Sequence, residues 1–281
     1  METKQKTKIN FHMHSTGSDG KLSPEELVQR SIEAGLDYIC FTDHYIRPAD
    51  ISPWTKGFFS KKYLRQIKSV QKKYKRKIDI SFGMEVDWIE GFEKWTKKEI
   101  SKFNPDYVLG SIHLLFTKKG EIFGVNFDEP NFAKKLKEFG GSKKLIQEYF
   151  RQLNMMIDSG LFDCIAHLDV IKTFNEKSKY FSTKDKDYKK LVLETLDNIK
   201  KHNMCIEINT SGWTYKCKES FPSLWILKQA RKRNIPITIG TDCHFLRQID
   251  YGIDKAYGLA KKAGYNNIVR FKKRKPIKIS I

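Results

Sequence analysis

Seven short apolar runs in this chain carry a histidine or a carboxylate at or near their downstream ends, and this recurrence constrains the fold more than any other feature. INFHMH ends in His12 and His14, YICFTDH in Asp43 and His44, and KIDISFGME in Glu85. DYVLGSIH ends in His113, FDCIAHLD contains His167, MCIEINTSG contains Glu207, and IPITIGTDCH delivers Asp242 and His244. Between the runs lie stretches with helical spacing. The clearest starts at Ser23-Pro24-Glu25-Glu26, an N-cap, a proline at the first helical position and a carboxylate completing a capping box. Leu27, Val28, Ile32 and Ala34 then recur at helical spacing until Gly35 stops it. Further helices are expected around 61–74, 142–159, 185–202 and 222–233, with a last one near 254–263 and a short basic tail.

Strands that alternate with helices predict a parallel sheet, and this many units in one chain favour closure into a barrel. In a parallel barrel the C-terminal ends of all strands open on one face. Residues distant in sequence therefore converge there. The polar segments at 45–59 and 172–184 are expected to be loops over the barrel mouth, and residues 1–281 are expected to form a single catalytic domain.

Six of the seven histidines fall at strand ends; His202, on a helix, is the exception. A lone histidine there is usually structural, but several converging with carboxylates form a donor set suited to zinc, manganese or iron(II). In H-x-H both imidazoles point to the same face of a strand. The face offers more donors than the roughly three that one catalytic ion takes from a protein. More than one ion is expected, with Glu85 able to give one oxygen to each of two and Asp19 able to contribute from the first loop.

Composition narrows the alternatives. The five cysteines are scattered without C-x-x-C spacing, which argues against a disulfide framework or a zinc ribbon, and Cys243 is expected to point into packing. No run approaches the ~18 apolar residues of a membrane span, and there is no secretory leader, so a cytoplasmic protein without a membrane partner is expected. The net charge of +20 is mostly lysine spread through helices, more like a solvated surface that attracts small anions than a nucleic-acid groove.

The ordered set HMH at 12–14, TDH at 42–44, Glu85, His113, His167 and DCH at 242–244 resembles the PHP (polymerase and histidinol phosphatase) superfamily along almost the whole chain. The resemblance implies an α/β fold, a distorted (β/α)7 TIM-like barrel with a trinuclear site at the C-terminal ends of the strands. His12, His14, Glu85 and Asp242 would hold the first ion, Glu85, His113 and His167 the second, and Asp19, His44 and His244 the third. The segments GMEVDWIEGFE, DYVLGSIHLL, FDCIAHLDVIKTF, EINTSG and VRFKKRKPIKI are similar to the histidinol-phosphate phosphatase branch.

That branch implies a metal-dependent phosphomonoesterase converting L-histidinol phosphate to L-histidinol and phosphate, in histidine biosynthesis, by attack of a metal-bridging hydroxide. Three divalent ions (zinc, manganese or iron) and a small phosphate ester are the expected cofactors and partner. The expected catalytic residues are Glu85, Asp242, Asp43 and His244, with Asp43 either orienting ligands or accepting a proton. Lys172, Glu207, Asn209 and Lys216 are expected to contact substrate, whereas Trp88, Trp213 and Tyr215 are read either as walls for an imidazole or as core or lid packing. The alternative is a nuclease-like PHP phosphoesterase acting on nucleotides or nucleic acid.

Overall fold

The computed structural model of the chain describes residues 7–45, 59–117 and 120–281. The strands are β1 (Ile9–Met13), β2 (Tyr38–Phe41), β3 (His44–Tyr45), β4 (Asp79–Asp87), β5 (Tyr107–Ser111), β6 (Leu114–Phe116), β7 (Ile122–Gly124), β8 (Cys164–Ile165), β9 (Cys205–Asn209), β10 (Ile237–Gly240), β11 (Asn267–Lys272) and β12 (Lys275–Ser280). The helices are α1 (Pro24–Glu33), α2 (Lys61–Tyr74), α3 (Glu93–Phe103), α4 (Glu129–Glu138), α5 (Ser142–Asp158), α6 (Lys186–Lys201), α7 (Leu224–Lys232) and α8 (Ile253–Lys262).

The main sheet is parallel and runs β1-β2-β4-β5-β8-β9-β10, with β3 alongside β4. Its two ends nearly meet: Asp242 N donates to His12 O at 2.9 Å and His14 N to Cys243 O at 3.0 Å, just past β10. This is the nearly closed seven-stranded barrel with surrounding helices that the alternation predicts. Its strands are buried on both faces, as in β1, β5 and β9, because helices cover the outside and side chains fill the inside. On α5, Leu145, Tyr149, Phe150, Leu153, Met156 and Ile157 form the buried stripe. Complete burial of such side chains contributes roughly 1.5–3 kcal/mol each before entropy is counted.

The capping box of α1 forms as the sequence dictates: Ser23 N donates to Glu26 Oε2 at 2.8 Å and Glu26 N to Ser23 Oγ at 3.3 Å. Among the described residues, three features were not anticipated. Helix α3 has no side-chain N-cap, α4 follows a hairpin of β6 and β7, and the basic tail is the antiparallel hairpin β11–β12. Lys273 (φ 50°) and Arg274 (φ 64°) form its left-handed turn, and Ile268, Val269 and Phe271 are buried. The Phe271 ring stacks on Tyr107 at 4.7 Å. Arg270, Lys272 and Arg274 reach Asp79, Asp106 and Asp163, carboxylates at or just before strand starts. Part of the positive charge is thus paired at the end of the barrel opposite the histidines.

The segment at 172–184 contains a short 3-10 turn, Glu176–Ser178, and another, Val170–Lys172, leads into it; of the loop expected at 45–59, positions 46–58 lie outside the described residues. None of the described helices is long and apolar enough to cross a membrane.

Candidate metal centre

The strand-end residues meet at the barrel mouth. His12 and His14, both buried, bring their Nε2 atoms within 3.1 Å of each other. Glu85 Oε2 lies 3.2 Å from His12 Nε2 and 3.4 Å from His14 Nε2, and Asp242 Oδ1 lies 3.1 Å from His14 Nε2. The other oxygen of Glu85 faces a second pair: Oε1 is 2.9 Å from His167 Nε2 and 3.6 Å from His113 Nε2, and those two nitrogens are 3.1 Å apart. Nearer the exit, Asp19 Oδ1 is 3.3 Å from His244 Nε2, and Oδ2 is 3.8 Å from His44 Nε2. His44 also turns Nδ1 towards Glu85 Oε2 at 3.0 Å.

Three overlapping groups of donors result. His12, His14, Glu85 and Asp242 form one; His14, Asp19, His44 and His244 form another; His44 with Glu85 and His113 forms the third. His167 belongs with the last group as well, since its Nε2 is closer to Glu85 Oε1 than that of His113. A divalent cation fits these donors. Imidazole nitrogens face one another in pairs, and the buried atoms His14 Nδ1 and His167 Nδ1 make no hydrogen bond within the protein. Buried polar atoms without partners are costly, and mixed nitrogen and oxygen donors suit zinc, manganese or iron.

The backbone accepts strain to bring the donors together. Asp242 (φ 55°) and His167 (φ 26°) are non-glycine residues with positive φ, of order 1–3 kcal/mol each, held by hydrogen bonds of their amides to His12 O and Glu207 Oε2 at 2.9 Å each. At Gly240 a Cβ would stand 2.0 Å from Glu207 Oε1 and 2.4 Å from His12 Cβ, so only glycine lets β10 pass so near.

Carboxylates behind the histidines fix their orientation. Glu207 Oε1 contacts His12 Nδ1 at 2.8 Å, and Asp87 Oδ1 contacts His113 Nδ1 at 2.7 Å, leaving each Nε2 aimed into the cluster. Asp87 was not anticipated, although the two-residue repeat of β4 places it on the same face as Glu85. Glu207 does not open towards substrate as expected: it is fully buried, and its Oε2 also accepts from Asn209 Nδ2 at 3.1 Å. Asn209 spends its Oδ1 on Ser211 N and Oγ, at 2.9 and 2.7 Å.

Two lysines are placed differently from expectation. Lys172 is buried, and its ammonium meets Asp169 Oδ2 at 2.8 Å, Glu219 Oε2 at 3.1 Å and Ser220 O at 2.9 Å. Three acceptors use its three donors, leaving none for phosphate. Lys216 pairs with Glu129, which also accepts from Lys179 and Tyr180 at 2.8 Å each. Asp43 meets no imidazole of the cluster. It is fully buried and accepts from Ser15 N (2.6 Å), Ser15 Oγ (2.8 Å), Ser18 Oγ (2.7 Å) and Tyr63 Oη (2.5 Å), which makes it an anchor for the first loop. Trp88 is a core residue donating to Gln152, and Trp213 packs beside Gly252 under Lys255.

The electrostatics match a cation site. Burial opposes protonation of His12, but Glu207, Glu85 and Asp242 outweigh it and hold its pKa well above the usual imidazole value. Burial is likewise overcome at His44, which Glu85 and Asp19 raise to about 9. Burial pushes His14 down to about 3, helped by its neighbours His244 and His44. Burial would raise Glu85 and Asp242, yet the imidazoles, led by His12, keep both well below the carboxylate range. Imidazolium charge thus compensates the carboxylates, and a bound cation would displace those protons.

The model of the PHP domain matches residues 10–211. The chain belongs to the PHP domain family. Among PHP relatives, a protein of Deinococcus radiodurans named probable histidinol-phosphatase is 30% identical over 266 residues, covering 93% of each chain. The histidinol-phosphatase of Lactococcus lactis is 27% identical, covering 94% of each chain. The crystal structure of histidinol phosphate phosphatase from Lactococcus lactis, complexed with zinc, L-histidinol and phosphate, has a TM-score of 0.74 and 24% identity, covering 96% of this chain and 99% of that one. This PHP chain therefore has the barrel of that protein.

Proposed function

We propose that residues 1–281 act as a single catalytic unit, a metal-dependent phosphomonoesterase that hydrolyses L-histidinol phosphate to L-histidinol and phosphate. The observation that carries this is the pair of imidazole groups facing the two oxygens of Glu85, with a third donor group around Asp19 on the solvent side. The near full-length similarity to histidinol-phosphatases supplies the substrate.

Three divalent ions would be held by His12, His14, Glu85 and Asp242; by Glu85, His113 and His167; and by Asp19, His44 and His244, with His14 Nδ1 facing the last. Bound there, such ions acidify water towards neutrality and neutralise phosphate charge. Glu207 and Asp87 hold His12 and His113 in place. Glu85 is closed off from solvent, whereas the side chains of Asp19, His244, His44 and Asp242 are 49, 25, 21 and 15% exposed, so a phosphate would enter past these four. Burial, with the charges of Asp242, Cys217, Asp19 and Glu85 adding to it, raises the phenol pKa of Tyr215, which makes this side chain a candidate wall of the mouth.

The test is phosphate release from histidinol phosphate, sugar phosphates, nucleoside monophosphates and a short RNA, each with zinc, manganese or iron(II). A kcat/KM far higher for histidinol phosphate is expected. Preference for nucleotides or RNA would keep the metal centre and overturn the substrate.

A further inference from the structure

The outermost donor group depends on one residue of a loop. Asp19 lies at the end of the turn at 16–19, and its side chain is the most exposed among the donors. Its contacts of 3.3 Å to His244, 3.8 Å to His44 and 3.9 Å to His14 require that turn to be held in place.

Helix α2 supplies the hold. Tyr63, 3% exposed, lays its ring on the turn, so that a Cβ at Gly17 would stand 2.2 Å from Tyr63 Cε2. The same ring carries its hydroxyl to Asp43 Oδ2 at 2.5 Å, and Asp43 in turn receives Ser15 N, Ser15 Oγ and Ser18 Oγ. Ser15 Oγ also accepts from Gly17 N at 3.0 Å. The turn is therefore clamped between an aromatic face and a buried carboxylate, and Tyr63 is part of both. Tyr63 itself meets the turn and Asp43, while the backbone of Asp43 also accepts from Glu85 N at 3.3 Å.

We propose that Tyr63 is a positioning residue for the outer metal site, clamping the 16–19 turn against Asp43 so that the Asp19 carboxylate faces His14, His44 and His244. This rests on the reading that the centre takes three ions. The clamp makes occupancy of the outer site separable from that of the inner two. Tyr63→Phe keeps the ring and removes the hydroxyl; Gly17→Ala keeps the hydroxyl and forces the ring away.

The experiment is zinc or manganese titration of chelated full-length protein, read by calorimetry and by elemental analysis after gel filtration, with the melting temperature measured alongside. Wild type should take three ions and Asp19→Asn two. In Tyr63→Phe and in Gly17→Ala the weakest-bound ion should lose about 10- to 100-fold in affinity while the other two are unchanged. Three ions with wild-type affinities in both variants would overturn the clamp. A uniform loss of all ions together with a large fall in melting temperature would also overturn it, since that is what a purely structural residue gives. If wild type takes only two ions and Asp19→Asn changes nothing, the three-ion reading falls, and the clamp with it.

Discussion

Glu207 Oε1 stands 2.8 Å from His12 Nδ1, a contact between residues 195 positions apart in which both partners are fully buried. The same carboxylate accepts the amide of His167 at 2.9 Å, so one side chain orients donors in both inner groups. This buried strand-end carboxylate therefore orients the ring of one candidate donor and the backbone of another.

Substitution of Glu207 by Gln is expected to lower metal affinity about 10- to 100-fold, the usual consequence of altering a group behind a histidine ligand. Competition with a chromophoric chelator measures it. Unchanged affinity would show that the orientation of His12 does not need this carboxylate.

Glu85→Gln removes the charge on which both inner groups draw, because its two oxygens face separate imidazole pairs. More than one ion per chain should be lost, and turnover with them. Loss of a single ion by elemental analysis would mean that the two groups do not share Glu85.

Lys172→Met should act on stability. It strips the counter-charge from buried Asp169, and breaking one side of a buried pair costs about 3–5 kcal/mol. Denaturant unfolding should report this loss. A variant of wild-type stability with a raised KM would restore Lys172 to the substrate pocket.

The clasp around Glu129 predicts a pH dependence. Lys179, then Lys216 and Tyr180, lower its pKa to about 2 from 4.5. A lowered folded-state pKa gives stability that is complete above the unfolded value and lost as pH falls. The melting-temperature difference between wild type and Glu129→Gln should therefore be constant above about pH 4.5 and shrink towards pH 2. A difference that grew on acidification would contradict the assignment.

The donors were legible in the sequence because strand alternation and parallel topology force them to one place: His12, His14, Glu85, His113, His167 and Asp242 could be found without knowing a single distance. Asp87 was legible by the same rule, two residues beyond Glu85. The lysines were not. Whether Lys172 meets phosphate or Asp169 depends on Glu219 and Ser220, which approach from a different loop. Asp43 was expected to orient ligands or accept a proton, but it lies between β2 and β3 and its side chain turns towards Ser15, Ser18 and Tyr63. The terminal hairpin was hidden because its alternating apolar positions are interleaved with basic residues whose partners, Asp79, Asp106 and Asp163, lie far away in the chain.

Stepwise return of metal to chelated protein, followed by phosphate release from histidinol phosphate, most directly joins the donor cluster to the chemistry. Metal-analysed, metal-free protein should be inactive, and turnover should recover as zinc, manganese or iron(II) fills the sites, with Asp242→Ala failing to recover. Undiminished turnover in the metal-free protein, or full recovery in Asp242→Ala, would contradict catalysis at this cluster.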